Sequence, residues 1–133
     1  MRPVFLDTVG LIALWDRTDQ WNIEASQAFR RLQSHDPDLL TTTYVLAACA
    51  NAAARKPYRN EVDQLRGQLE ADGALISPTE DDWRSAWDGY GRGDAALAGL
   101  VDHLSIAVMR RLGLAEAFTN DRHFLAAGFR VLF

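Results

Sequence analysis

The chain has 133 residues, 48% of them hydrophobic and 24% charged, which fits one domain spanning residues 1–133 and excludes disordered and fibrous classes. No apolar stretch approaches the ~20 residues of a membrane-spanning helix, and the first residues lack a secretory leader, so the expectation is a cytoplasmic protein with no membrane partner. A formal charge of −4 excludes a bulk positive field as the basis for binding polyanions, and the single cysteine, Cys49, excludes an internal disulfide or a multi-thiolate metal site.

In chain order, PVFLD is a short apolar run that ends in an acid and predicts a buried strand, with a helix starting near Thr8. Residues 22–33 carry Ile23, Ala25, Ala28, Phe29 and Leu32 at helical spacing, and 35–38 (HDPD) reads as the turn that ends this helix. Residues 39–42 predict a second strand, with Thr43 as N-cap of an alanine-rich helix that runs to Arg55 and is stopped by Pro57. A helix over 58–71, a third strand over 74–76 and a helix capped at Thr79 and carrying Trp83, Ala86, Trp87 and Tyr90 follow. The glycine-rich stretch 89–94 predicts a mobile loop beside the site. Residues 99–112 form an amphipathic helix with Gly113 as C-cap, 115–119 a fourth strand, 121–127 a short helix and 129–132 a fifth strand.

Strands alternating with helices imply an α/β domain, a mostly parallel sheet of about five short strands covered by helices on both faces. Such sheets bind ligands at the carboxyl ends of their strands. Asp7 ends the first strand, Asp121 lies just beyond the fourth, and Asp102 lies near the start of the helix leading to it. Carboxylates gathered in this way repel one another, so they either share protons or hold a hard divalent cation, Mg²⁺ or Mn²⁺. Such an ion polarises a phosphoryl oxygen and activates water near neutral pH, the equipment of a phosphodiesterase. Spacing alone equally fits unrelated caps and surface charges.

Together, VFLDTVGLIALWD, LLTTTYVLAACANAA, GLVDHLSIAVMRRLGLAEAFTNDRHF and AGFRVLF resemble a PIN domain of the VapC-like toxin type, in order and spacing, from about residue 4 to the last residue. The resemblance implies a small metal-dependent ribonuclease acting on RNA, homodimeric and neutralised by a cognate antitoxin protein. It assigns the catalytic, metal-holding carboxylates to Asp7, Asp102 and Asp121 and a supporting hydroxyl to Thr119. The family's second acid is a glutamate on the helix after the second strand. Here Thr41, Thr42, Tyr44, Val45, Leu46 and Asn51 match that motif, but Ala48 stands where the glutamate belongs. Cys49 points about 100° away around the helix and does not replace it. An introduced Glu-to-Ala change fits the intact flanks better than a naturally degenerate domain, and either implies impaired cleavage. The alternative function is a degenerate PIN domain that binds RNA or protein.

Other features carry weaker readings. Arg55, Lys56, Tyr58 and Arg59 form a basic patch with an aromatic inside it, able to track an RNA backbone or simply to cap a helix end, and Arg92 is a further candidate RNA contact. Trp15 and Trp21 divide evenly between core and interface, whereas His103 and His123, close to the acids in sequence, invite a general-base or zinc role that the resemblance does not imply. Cys49 lacks an activating partner for thiol chemistry. A phosphoacceptor signalling domain would need a lysine near the acids, and Lys56, the one lysine, lies beyond a helix.

Overall fold

The computed structural model describes residues 2–133. Five strands, β1 (Arg2–Leu6), β2 (Pro37–Thr42), β3 (Leu75–Ile76), β4 (Glu116–Phe118) and β5 (Arg130–Val131), form one sheet in the order β3-β2-β1-β4-β5. Every neighbouring pair is parallel, with Val4 opposite Leu39 and Phe5 opposite both Leu40 and Ala117. The central strand is apolar without alternation because both of its faces are covered, and Val4, Phe5 and Leu6 are fully buried.

The helices are α1 (Thr8–Trp15), α2 (Asn22–Gln33), α3 (Thr43–Ala53), α4 (Arg59–Ala71), α5 (Glu80–Arg92), a single turn α6 (Asp94–Leu97), α7 (Leu100–Leu112) and α8 (Arg122–Ala126). From β1 the chain steps outward to β2 and β3, then returns to β4 and β5 on the other side of β1. Right-handed crossovers in opposite directions place helices on both faces of the sheet. They also leave a switch point between β1 and β4, where the carboxyl ends of neighbouring strands face connections that leave in opposite directions. No helix among the described residues is long and apolar enough to cross a membrane.

Several boundaries differ from the sequence reading. β2 starts at Pro37 rather than 39, because Asp36 adopts a positive φ of 47° and completes the turn alone. Proline is tolerated at the first position of a strand. Thr42, not Thr43, caps α3, its Oγ1 accepting from Val45 N–H at 3.1 Å. The predicted loop over 89–94 is mostly helix, since α5 continues to Arg92 and ends at Gly93 in the left-handed region. Gly89 is there for contact rather than mobility: a Cβ on it would lie 2.8 Å from Nδ1 of His103 on α7. Asp82, capping α5 with Thr79, accepts a bidentate pair from Arg111 near the end of α7 at 2.9–3.1 Å, which holds the same two helices together.

Gly10 marks the closest approach of helix to sheet. A Cβ built there would sit 2.0 Å from the Phe118 carbonyl oxygen, and backbone at both sides of the contact cannot rotate away. Gly10→Ala should therefore cost about 3 kcal/mol, at the upper end of overpacking penalties, despite alanine's better helix propensity. Chemical denaturation of the two proteins measures this; equal stability would show that α1 can slide along β4.

Candidate metal centre

The residue after β1 is Asp7, extended at φ −99°, ψ 154°, and it is the N-cap of α1. Its Oδ2 accepts from Val9 N–H at 3.3 Å and from the Thr119 hydroxyl at 2.8 Å. Its Oδ1 is buried and has no hydrogen-bond partner. Thr119, the residue after β4, is itself buried, and its oxygen accepts from Asp121 N–H at 3.1 Å. One threonine thus ties the ends of β1 and β4 together across the switch point. Asp121 caps the next helix, accepting from His123 N–H at 2.9 Å. Asp102 arrives from the opposite direction, in the first turn of α7.

Asp7 and Asp102 are held in an environment hostile to charge. Burial, reinforced by repulsion from Asp102 and Asp121 and opposed by the Thr119 hydrogen bond, pushes Asp7 from its ordinary 3.8 up to about 7. Burial, with repulsion from Asp121 and some relief from His123, raises Asp102 to about 6. One oxygen each from Asp102 and Asp121 and one ring nitrogen of His123 lie within 4.8 Å of one another. The donor set is carboxylate oxygen and imidazole, and the orphaned Asp7 oxygen is the kind of buried polar atom that a cation satisfies. The residues present therefore fit a divalent ion.

Ala48 lies half-buried on α3 and offers only a methyl group. Its neighbour Cys49 is fully buried and within reach of the Asp7 charge. Burial first and that charge second push its thiol up to about 12, which makes it inert as a nucleophile.

Other sequence candidates fall elsewhere. Arg55, Lys56 and Arg59 are exposed beyond the end of α3, about 16 Å of helix from the residues that start it. Arg59 donates to the Ala54 carbonyl, as a helix-end cation does. Tyr58 is 7% exposed and stacked on Trp15 at 6.4 Å between ring centroids, so its ring is core rather than a platform for a base. Trp15 is half-buried in that contact, while Trp21 is exposed. Arg92 is exposed and paired with Asp94 at 3.0 Å. Lys56 lies near Asp16, away from the acids. Tyr44, Trp83, Trp87 and Tyr90 form a row of partly exposed aromatic rings with 5.3–6.1 Å between successive centroids.

Sequence reasoning passed over the surroundings of His123. Its Nδ1 lies 3.0 Å from the Ala95 carbonyl, and its place two residues after Asp121 was the only signal available.

The PIN domain family profile matches residues 4–130 of this chain. The 23S rRNA-specific endonuclease VapC20 of Mycobacterium tuberculosis is 30% identical over 127 residues, covering 95% of each protein. Among solved structures, M. tuberculosis VapC20, described as a toxin cleaving the sarcin-ricin loop, superposes with a TM-score of 0.76 at 26% identity, over 95% of each chain. DNA-bound VapBC from Salmonella typhimurium shares the fold, with a TM-score of 0.64 at 14% identity over 98% of this chain and 97% of that one.

Proposed function

The chain belongs to the PIN-domain family, and from that premise we propose that it is a VapC-like toxin, a Mg²⁺- or Mn²⁺-dependent endoribonuclease held in check by a cognate antitoxin. The observation that carries the proposal is the meeting of Asp7, Asp102 and Asp121 at the β1/β4 switch point, with a buried carboxylate oxygen left without a donor. A 23S rRNA-specific relative supports RNA as substrate. The VapBC structure among the structural neighbours supports a protein partner. Exposed Tyr44, Trp83, Trp87 and Tyr90 supply apolar surface suited to protein contacts, including those of a homodimer.

A bound divalent ion supplies a Lewis acid for the phosphoryl oxygen and neutralises charge building on the leaving oxygen. The protein's share is positional. Thr119 holds one oxygen of Asp7 and leaves the other without a partner, the helix caps fix Asp7 and Asp121, and Asp102 joins the set from α7. With Ala48 in place of an acid, the set carries one negative charge fewer, which weakens metal affinity and slows cleavage. That same substitution favours the second reading, a domain that holds RNA or protein without cutting it.

The test is incubation of a panel of structured RNAs, 23S rRNA fragments among them, with Mg²⁺ or Mn²⁺. Slow cleavage that EDTA abolishes is expected; cleavage that survives EDTA would contradict the metal-dependent reading.

The raised carboxyls also set a pH dependence. Asp7 and Asp102 keep their protons in the folded chain at pH values where the unfolded chain has released them, so the metal-free protein loses stability as pH rises from about 4 to about 7. Divalent metal binds the ionised forms, so its stabilising effect grows over the same range. Thermal unfolding at pH 4.5, 6 and 7.5 with and without Mn²⁺ reads both slopes. Buried His103, its ring held below the ordinary value, tilts the slope the other way, so the decisive comparison is with Asp7→Asn: a metal-free slope that this variant leaves unchanged would refute the arrangement described.

A further inference from the structure

We propose that His123 is a metal ligand of this site, binding through Nε2 beside Asp102 and Asp121, and that it biases the site toward Mn²⁺ over Mg²⁺. The inference rests on the reading of the acidic cluster as a metal centre and adds a donor to it. Three observations carry it.

First, the tautomer follows from the partner. Nδ1 of His123 is 3.0 Å from the Ala95 carbonyl, which can only accept, so Nδ1 carries the hydrogen. In the neutral ring Nε2 then presents a lone pair, and it lies 4.0 Å from Asp121 Oδ1. A ligating histidine is commonly oriented in this way, with its far nitrogen bound to a carbonyl or carboxylate.

Second, the spacing suits a shared ion. Donors bound to one ion at about 2.1 Å lie at most ~4.2 Å apart; Nε2 is 4.0 Å from Asp121 Oδ1, and one oxygen each of Asp102 and Asp121 with one ring nitrogen of His123 span no more than 4.8 Å. A small side-chain closure brings them into range. Beside them lies the Asp7 carboxyl, 1% exposed and with one oxygen unpartnered, close enough to Asp102 and Asp121 for repulsion to be felt.

Third, the backbone that aims the ring is strained. Ala95 (φ 54°, ψ 46°), Ala96 (φ 56°, ψ 45°) and Leu97 (φ 62°) are consecutive non-glycine residues in the left-handed region. Strain of this kind persists where the surrounding structure requires it, and functional sites are where it concentrates. Here its product is the carbonyl that orients His123. An imidazole nitrogen in an otherwise all-oxygen set favours first-row transition-metal ions over Mg²⁺, which prefers oxygen and retains its waters, and Mn²⁺, the weakest binder of that series, shares the preference in its mildest form.

The test uses the whole chain and the metal alone. Mn²⁺ binding is followed by the loss of the free-ion electron paramagnetic resonance signal, and Mg²⁺ by competition. Electron spin-echo modulation of the bound Mn²⁺ reports any coordinated nitrogen. The expected results are a ¹⁴N modulation in this chain that disappears in His123→Ala, with Mn²⁺ affinity falling about 10-fold or more and Mg²⁺ affinity falling less. Circular dichroism establishes that the variant is folded, and the spectrum of this chain needs no variant at all. Tight Mn²⁺ binding without nitrogen modulation would overturn the role of His123 while leaving the metal centre standing. Absence of Mn²⁺ binding both by this chain and by Ala48→Glu would overturn the metal centre and the ligand together.

Discussion

Ala48→Glu is expected to raise Mn²⁺- and Mg²⁺-dependent RNA cleavage by about 10- to 100-fold, the range in which a missing oxygen around a metal site changes affinity or activity. The substitution adds a carboxylate to α3 one residue before Cys49, whose buried thiol already feels the charge of Asp7. Position 48 is half-buried, so a longer side chain has somewhere to go. It also adds like charge to a cluster in which Asp7 and Asp102 are already hard to ionise. The metal-free variant should therefore be less stable at neutral pH and recover that loss when Mn²⁺ is added. Cleavage assays and thermal unfolding on the same preparations check both halves. If Mn²⁺ binding tightens while RNA stays intact across a broad panel, the binding-module reading gains at the expense of the nuclease.

Asp7→Asn tests the opposite corner of the cluster. Asparagine is isosteric, can cap α1 as aspartate does, and can still accept the Thr119 hydroxyl. What it removes is the charge and the unpartnered oxygen, replacing them with an amide donor beside Asp102 and Asp121. Cleavage should fall about 10³-fold, roughly 4 kcal/mol of transition-state stabilisation. Metal-free stability at pH 7.5 should meanwhile increase by on the order of 2 kcal/mol, because a buried carboxyl with a value near 7 no longer has to ionise. Activity and stability moving in opposite directions distinguish a site residue from a residue of the core, whose loss lowers both. A variant that is less stable and still cleaves would place Asp7 among the latter.

The two acids at strand ends were legible because an apolar run broken by aspartate is a local pattern, and parallel topology then places such breaks on one edge. Asp102 was legible through family resemblance, since nothing in its helix announces which way the first turn faces. The orientation of the His123 ring was not, because its Nδ1 meets a backbone carbonyl, that of Ala95, and alanine carries no mark of a left-handed conformation. The glycines over 89–93 misled for the complementary reason. Glycine commonly marks a loop, yet here Gly89 lets the His103 ring press against a helix, a requirement visible only once α5 and α7 are paired. Tyr58 looked available among basic residues, but its pairing with Trp15 depends on the return of α3 and α4 to the α1 side, which local sequence does not encode.

The tie between Asp7 and Thr119 spans 112 residues of chain, and β4 must slot in beside β1 before it can form. Contacts this distant in sequence close late, after the loop entropy between them has been met. During synthesis Asp7 is made well before Thr119, Asp121 and His123, and until they follow it the β4-facing edge of β1 is unpaired. A chain broken or halted anywhere between β1 and β4 therefore carries Asp7 without the threonine that holds it, and the acidic cluster exists only in chains that contain both strands.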